Sequence, residues 1–216
     1  MNPLKTLQKF GQSPWYDYIL RDLILSGELT ALIENDGLLG MTSNPSIFEK
    51  AIGGSSEYDD LLKEIAPQPI GIKEIYEALA IRDIQDAADV FLPVYEKTNG
   101  RDGYVSLEVS PDLAYDTQGT IEEALRLFKT VGRKNVMIKV PGTEEGLPAI
   151  ERLISEGLNI NVTLLFSVAR YEEVALAYLS GLQRRGKAGL PVHPIASVAS
   201  FFVSRIDTLV DAQLQA

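Results

Sequence analysis

From residue 103 onward, short apolar runs of strand character alternate with helical periodicity, with little length to spare. That alternation narrows the fold more than any other feature. Val105-Ser106-Leu107-Glu108-Val109 reads as a strand and Thr120 through Thr130 as a helix. Thr120 and Glu123 have capping-box spacing, Ile121, Leu125 and Phe128 share one face, and Gly132 can supply a left-handed stop. There follow a strand from Asn135 to Val140 closed by Pro141-Gly142, a helix from Thr143 to Ser155 before Gly157, and a strand from Ile160 to Phe166. A helix begins near Ser167, with Tyr171, Val174, Ala175, Tyr178, Leu179 and Leu182 in helical period. Pro194 to Ala199 reads as a further strand, and Val203, Ile206, Leu209 and Val210 are spaced to face a core from a helix after Phe201.

Strand, helix, strand, helix with apolar strands is the pattern of parallel βα units, which suits a (β/α)8 barrel or a doubly wound sheet. No G-x-G-x-x-G follows any strand, and Gly53-Gly54 beside Ser55-Ser56 reads as a surface turn, so the barrel is preferred. Upstream, Leu38 to Thr42 reads as a strand ending in Ser43-Asn44-Pro45-Ser46. A long helical excursion runs from there through Tyr95, with a break at Pro67 and Pro69. The expected organisation is α/β, one domain over residues 1–216 of TIM-barrel type, with a helical insertion around 46–98. It is incomplete, since about six strands are counted where the barrel requires eight.

Composition removes whole classes of chemistry. The 216 residues include no Cys and a single His, which excludes disulfides, thiolate metal sites, cysteine nucleophiles and multi-histidine centres. His193 lies in Pro191-Val192-His193-Pro194 and reads as a constrained entry into a strand. Chemistry is left to lysine, carboxylates and hydroxyls. A net charge of −10 argues against nucleic-acid and anionic-membrane partners, which require clustered cations. The one basic cluster, Gln183-Arg184-Arg185-Gly186-Lys187, sits where cations favour a helix C-terminus. No apolar run approaches a membrane span and the N-terminus has no secretory h-region, so a cytoplasmic protein is expected.

Lys139 interrupts an otherwise apolar strand, Asn135-Val136-Met137-Ile138-Lys139-Val140. Desolvation there is expected to lower the amine pKa from about 10.4 toward the ~7–8 useful to a nucleophile. The alternative is a lysine whose stem packs on the sheet while its head reaches water or a carboxylate. Other polar residues fall where strands end, as catalytic groups do in a barrel. Thr42 and Asn44 end one strand, Glu108 and Lys139 lie on the next two, Asn161 and Thr163 punctuate another, and Ser200 follows the last. Each alone has an ordinary explanation: Asn44-Pro45 a turn, Glu108 a partnered core carboxylate, Thr163 a β-former. Together, in one register around one lysine, they describe a wet pocket at one mouth of a barrel.

These residues resemble the transaldolases. Gly40-Met41-Thr42-Ser43-Asn44-Pro45-Ser46-Ile47-Phe48 is similar to the first signature of that family, and Val136 through Leu153 to its second. The likeness continues through Asn161-Val162-Thr163-Leu164-Leu165-Phe166-Ser167 and Ser200 to Asp207, with Trp15-Tyr16-Asp17 similar to an N-terminal motif. The resemblance implies that Lys139 forms a Schiff base with a ketose phosphate such as fructose 6-phosphate or sedoheptulose 7-phosphate. The C3–C4 bond then breaks, and a dihydroxyacetone unit passes to an aldose phosphate such as erythrose 4-phosphate, in the pentose phosphate pathway. No metal or organic cofactor is implied. By motif, Asp17 handles the C4 hydroxyl proton, with nearby Asp22 the alternative, while Glu108 and Thr163 position the shuttling water. Thr42, Asn44, Asn161 and Ser200 hold substrate hydroxyls, and Arg205 meets the phosphate.

Two alternatives stay open: an aldolase that makes or splits fructose 6-phosphate without transfer, and a non-catalytic sugar-phosphate-binding fragment with a structural lysine. The strand count and an end inside a helical pattern lead us to expect a fragment lacking two strands and, as the resemblance implies, a second phosphate-binding arginine that the family carries there. Such a fragment would expose sheet edges and apolar core, giving self-association or a homo-oligomer.

Overall fold

The computed structural model describes residues 2–67 and 69–215. Two compact units partition the chain, one built from Met1–Glu108 with Leu127–Val136 and the other from Val109–Arg126 with Met137–Ala216.

In the first unit, Asn2 caps α1 (Pro3–Leu7), its side chain accepting the Leu4 N–H at 2.9 Å. There follow β1 (Trp15–Asp17), α2 (Arg21–Leu25), α3 (Glu28–Ala31) and β2 (Gly40–Thr42). Three helices then precede β3 (Tyr104–Glu108): α4 (Pro45–Gly54), α5 (Asp59–Ile65) and the 26-residue α6 (Ile72–Lys97). Gly53 and Gly54, read in the sequence as a surface turn, instead close the last turn of α4. The strands pair in parallel, with Asp17 opposite Thr42 and Thr42 opposite Ser106. Gly40 has to be glycine, because the Trp15 indole occupies the space a Cβ would need. Met41, Val105, Leu79, Ile84 and Phe91 are buried here.

α7 (Thr117–Val131) begins earlier than its sequence pattern predicts. Asp116 takes the capping role by accepting the Gly119 N–H at 2.9 Å, so the Thr120–Glu123 capping box does not form. Thr120 instead donates its hydroxyl to the Leu113 carbonyl at 2.9 Å, and the Glu123 carboxylate accepts the Ser110 N–H. Gly132 does close the helix in the left-handed conformation, at φ 60°.

The second unit contains β4 (Val136–Pro141), of which Val136 belongs to the first, then α8 (Gly146–Glu156), β5 (Ile160–Leu165), α9 (Val168–Lys187), β6 (Ser197–Phe201) and α10 (Val203–Leu214). β4, β5 and β6 pair in parallel. α8 starts at Gly146, later than expected, because Thr143 forms a local turn. Its hydroxyl accepts the Gly146 N–H at 3.1 Å and donates to the Ala114 carbonyl at 2.6 Å. Any side chain at Gly146 would strike the Pro141 carbonyl. Ser167 caps α9 through the Arg170 N–H at 3.2 Å. In the basic cluster that ends α9, Arg185 donates to the Pro191 carbonyl at 2.7 Å, a structural use of the charge. The stretch before β6 is held in a turn by the Ile195 N–H to the Val192 carbonyl at 3.2 Å, so the strand starts at Ser197 rather than Pro194 and His193 is exposed. Ile138, Val140, Val162, Ile150 and Leu153 are buried, whereas α10 is exposed along its whole length. Val203, Ile206, Leu209 and Val210 therefore do not face a core as their spacing predicts, because a periodic stripe specifies a face and not what covers it.

Among the described residues, six parallel strands alternating with helices establish the α/β class, against the eight of a TIM-type barrel.

Polar groups also hold the first unit together. Asp83, fully buried on α6, accepts from Arg21 Nη1 of α2 at 2.6 Å and from the Tyr58 hydroxyl at 2.6 Å, with Asp86 3.6 Å from the same guanidinium. Burial holds the Asp83 carboxyl above the ordinary range, and the bonds from Tyr58 and Arg21 oppose that rise. Replacing Asp83 by Ala strands a buried guanidinium and is expected to cost about 3–5 kcal/mol in urea unfolding. Tyr58→Phe loses one bond and is expected to cost about 1–3 kcal/mol.

Burial also raises the phenols of Tyr58, Tyr76 and Tyr104, Tyr76 to about 12 with the Glu108 and Glu49 charges adding to the desolvation. A raised folded pKa gives stability that is whole below the unfolded value of about 10 and is lost as pH rises beyond it. Unfolding free energy is expected to be lower at about pH 11 than at about pH 9, with phenolate absorbance from these three residues appearing only on unfolding.

Candidate active site

The first unit places its candidates at the C-terminal ends of its strands. Asp17 ends β1, exposed; Thr42 ends β2 and Glu108 ends β3, both half-buried. The register puts Asp17, Thr42 and Ser106 side by side, and the two-residue alternation of strands carries Glu108 on the same face as Ser106. Within this row the Thr42 Oγ1 is buried and, among the described residues, makes no hydrogen bond. Asn44 lies just beyond β2 and is already employed. Its side-chain oxygen accepts the Ile47 N–H at 3.0 Å and caps α4, whose first residue is Pro45. Ser43 beside it donates to the Ser106 carbonyl at 2.8 Å, tying the loop to β3. Tyr76 of α6 lies near enough to Glu108 to feel its charge. Neither Ser43 nor Tyr76 was singled out by motif; a tyrosine in helical period reads as core.

In the second unit, Lys139 is only 5% exposed, midway along β4. It pairs with Asn161 and Pro141 pairs with Thr163, so Lys139, Asn161 and Thr163 share one face. Asn161 in turn pairs with Val198, and its side-chain oxygen accepts the Ser200 hydroxyl at 2.8 Å. The backbone around them is used by neighbours: the Lys139 carbonyl accepts the Val109 N–H at 3.2 Å, and the Thr163 carbonyl accepts the Gly142 N–H at 2.8 Å. Arg205 is exposed in the first turn of α10 with its guanidinium 4.4 Å from the Phe202 ring centroid. This face joins an amine, an amide and two hydroxyls, the groups that carbonyl chemistry on a hydroxylated substrate requires.

A backbone irregularity adjoins the face. Between the pairs Val162–Ala199 and Leu165–Phe201, β5 carries one more residue than β6, and Leu164 adopts a left-handed φ of 63°. Leu164 is thereby turned outward, 41% exposed, between buried Thr163 and Leu165. Side chains larger than glycine's are strained there, and a β-branched one more than leucine. Leu164→Val is expected to destabilise by about 1–2 kcal/mol and Leu164→Gly to fold at least as well, compared by thermal unfolding.

Comparison with known proteins places the chain in a family. Residues 14–216 match the family model described as Transaldolase/Fructose-6-phosphate aldolase. The Transaldolase of Trichodesmium erythraeum is 52% identical over 97% of this chain and 55% of its own length. Transaldolase 2 of Nostoc punctiforme is 52% identical over 96% and 54%, and the Transaldolase of Thiobacillus denitrificans 49% identical over 99% and 60%. The chain thus spans little more than half the length of these relatives. With that family model matched over residues 14–216 and relatives about half identical across nearly the whole chain, the chain is a member of the transaldolase/fructose-6-phosphate aldolase family.

Proposed function

We propose that Lys139 is the nucleophile of a transaldolase reaction on sugar phosphates. What supports the reading above all is the burial of Lys139 at 5% exposure on a face shared with Asn161, Thr163 and Ser200. The neutral amine adds to the ketose carbonyl and water leaves, giving an imine. Once protonated, the imine draws electrons from the C3–C4 bond as the C4 hydroxyl surrenders its proton, and the aldose phosphate departs. The three-carbon enamine left on Lys139 adds to an acceptor aldehyde, and hydrolysis frees the product and the amine.

In this reading Asp17 takes the C4 hydroxyl proton, and Glu108 and Thr163 orient the water that moves protons during imine formation and hydrolysis. Thr42, Asn44, Asn161 and Ser200 bind substrate hydroxyls. Arg205 binds the phosphate, for which a planar fork of donors is suited. The chemistry needs neither metal nor organic cofactor. Residues 1–216 act as one domain of the barrel type, with the helices between β2 and β3 as an insertion. Among the described residues no helix is long and apolar enough to cross a membrane, and the cytoplasm is the compartment we propose. The net charge of −10 speaks against a nucleic-acid partner. Exposed Val168, Leu176, Leu179, Leu209 and Leu214 on α9 and α10 favour self-association of this chain. Sedimentation velocity is expected to show a concentration-dependent shift to larger species; a strictly monomeric boundary would refute it.

Incubation with fructose 6-phosphate and borohydride, followed by intact mass and peptide mapping, tests the nucleophile. A reduced three- or six-carbon adduct is expected on Lys139 and none on Lys139→Arg, which keeps a long nitrogen-tipped side chain but cannot form the imine. Binding that survives without any adduct would point to a sugar-phosphate-binding role instead. Release of free glyceraldehyde 3-phosphate at the same rate with and without an acceptor aldehyde would mark an aldolase.

A further inference from the structure

Two aromatic rings and one guanidinium lie next to one another in the second unit. Phe166, directly after β5, stacks on Phe202, between β6 and α10, with ring centroids 5.5 Å apart and planes 20° from parallel. On the Phe202 ring lies the Arg205 guanidinium, its Cζ 4.4 Å from the centroid. The backbone ties the same residues together, since the Arg205 and Ile206 N–H groups donate to the Phe202 carbonyl at 3.1 and 3.3 Å. Arg205 is otherwise exposed on an exposed helix, and among the described residues no carboxylate pairs with it.

We infer that Phe202, backed by Phe166, is a positioning residue that sets the Arg205 guanidinium for a phosphate monoester. This rests on the proposed reading of Arg205 as the phosphate-binding group. A guanidinium attracts an aromatic ring through its flat face, while its N–H donors point outward in its plane. Stacking therefore leaves the donor edge for the phosphate oxygens, whereas an acidic partner would occupy that edge. An arginine on an exposed turn also has several freely rotating bonds to immobilise when an anion binds, and a side chain already held on a ring loses less freedom. Phe166 contributes by fixing Phe202: Phe202 is half-buried, and the exposed Phe166 ring stacks on it.

The test compares calorimetric affinities of the 216-residue chain for fructose 6-phosphate and for fructose. The unaltered chain is expected to prefer the phosphorylated ketose, and Arg205→Gln to abolish the preference. Phe202→Leu, which keeps apolar bulk but removes the ring, is expected to weaken fructose 6-phosphate by about two- to fivefold while leaving fructose unchanged. Phe166→Leu is expected to act in the same direction by a smaller factor, and Phe202→Tyr, which keeps the ring face, to retain the affinity. In the Arg205→Gln background, Phe202→Leu should have no further effect. If Arg205→Gln leaves the preference intact, or the unaltered chain shows none, the reading of Arg205 falls and the inference with it. If Arg205→Gln removes the preference while Phe202→Leu does not weaken it, or weakens both ligands alike, or adds its full loss to Arg205→Gln, the inference alone is overturned. Should Phe202→Leu fail to fold by circular dichroism, Phe166→Leu at its exposed position decides the matter, an unchanged preference overturning the inference.

Discussion

Parallel pairing in a fixed register is the constraint on which the remaining structure depends. A strand exposes alternate residues on alternate faces, so once Lys139 is set opposite Asn161 the face of every other residue on β4 and β5 follows. The same rule aligns Asp17, Thr42 and Ser106 across β1, β2 and β3. Peptide groups beyond the strand ends continue the pairing, as with the Gly142 N–H on the Thr163 carbonyl. Backbone donors and acceptors thus satisfy one another along the strands, and the Ser200 hydroxyl adds a side-chain bond between β6 and β5.

The molecule buries charge in two different settings. Asp83 has lost all contact with solvent, but it sits between a guanidinium and a phenol that each offer a proton at 2.6 Å, with the interaction closed on itself. Such a hub links α2, α6 and the segment before α5, and it contributes to structure alone. Lys139 is almost as deeply buried, and its strand neighbours on the same face include the Asn161 amide and the Thr163 hydroxyl.

Strands β3, β4 and β5 were legible because a parallel strand covered on both faces reads as a nearly unbroken apolar run. The candidates at their ends were legible for the same reason, as polar exceptions at regular positions. Helix starts were less so: Asp116 and Thr120, or Thr143 and Gly146, compete within a few residues, and local hydrogen bonds decide between them. Asp83 looks in sequence like any acidic residue on a helix. Nothing local indicates that Arg21 and Tyr58, distant along the chain, converge on it. Phe166 and Phe202 read as ordinary core aromatics, since their stacking exists only because the ends of β5 and β6 lie side by side.

The extra residue in β5 also bears on how this part of the chain moves. A regular strand can slide past its neighbour by recoupling its peptide groups, at little cost in backbone shape. With Leu164 held at a φ of 63°, a slip would carry a different residue into the left-handed position and return Leu164 to an extended one, while sending Thr163 to the opposite face. The bulge works as a pawl against that motion. The left-handed residue thus favours one register of β5 on β6, the register in which the Ser200 hydroxyl reaches Asn161.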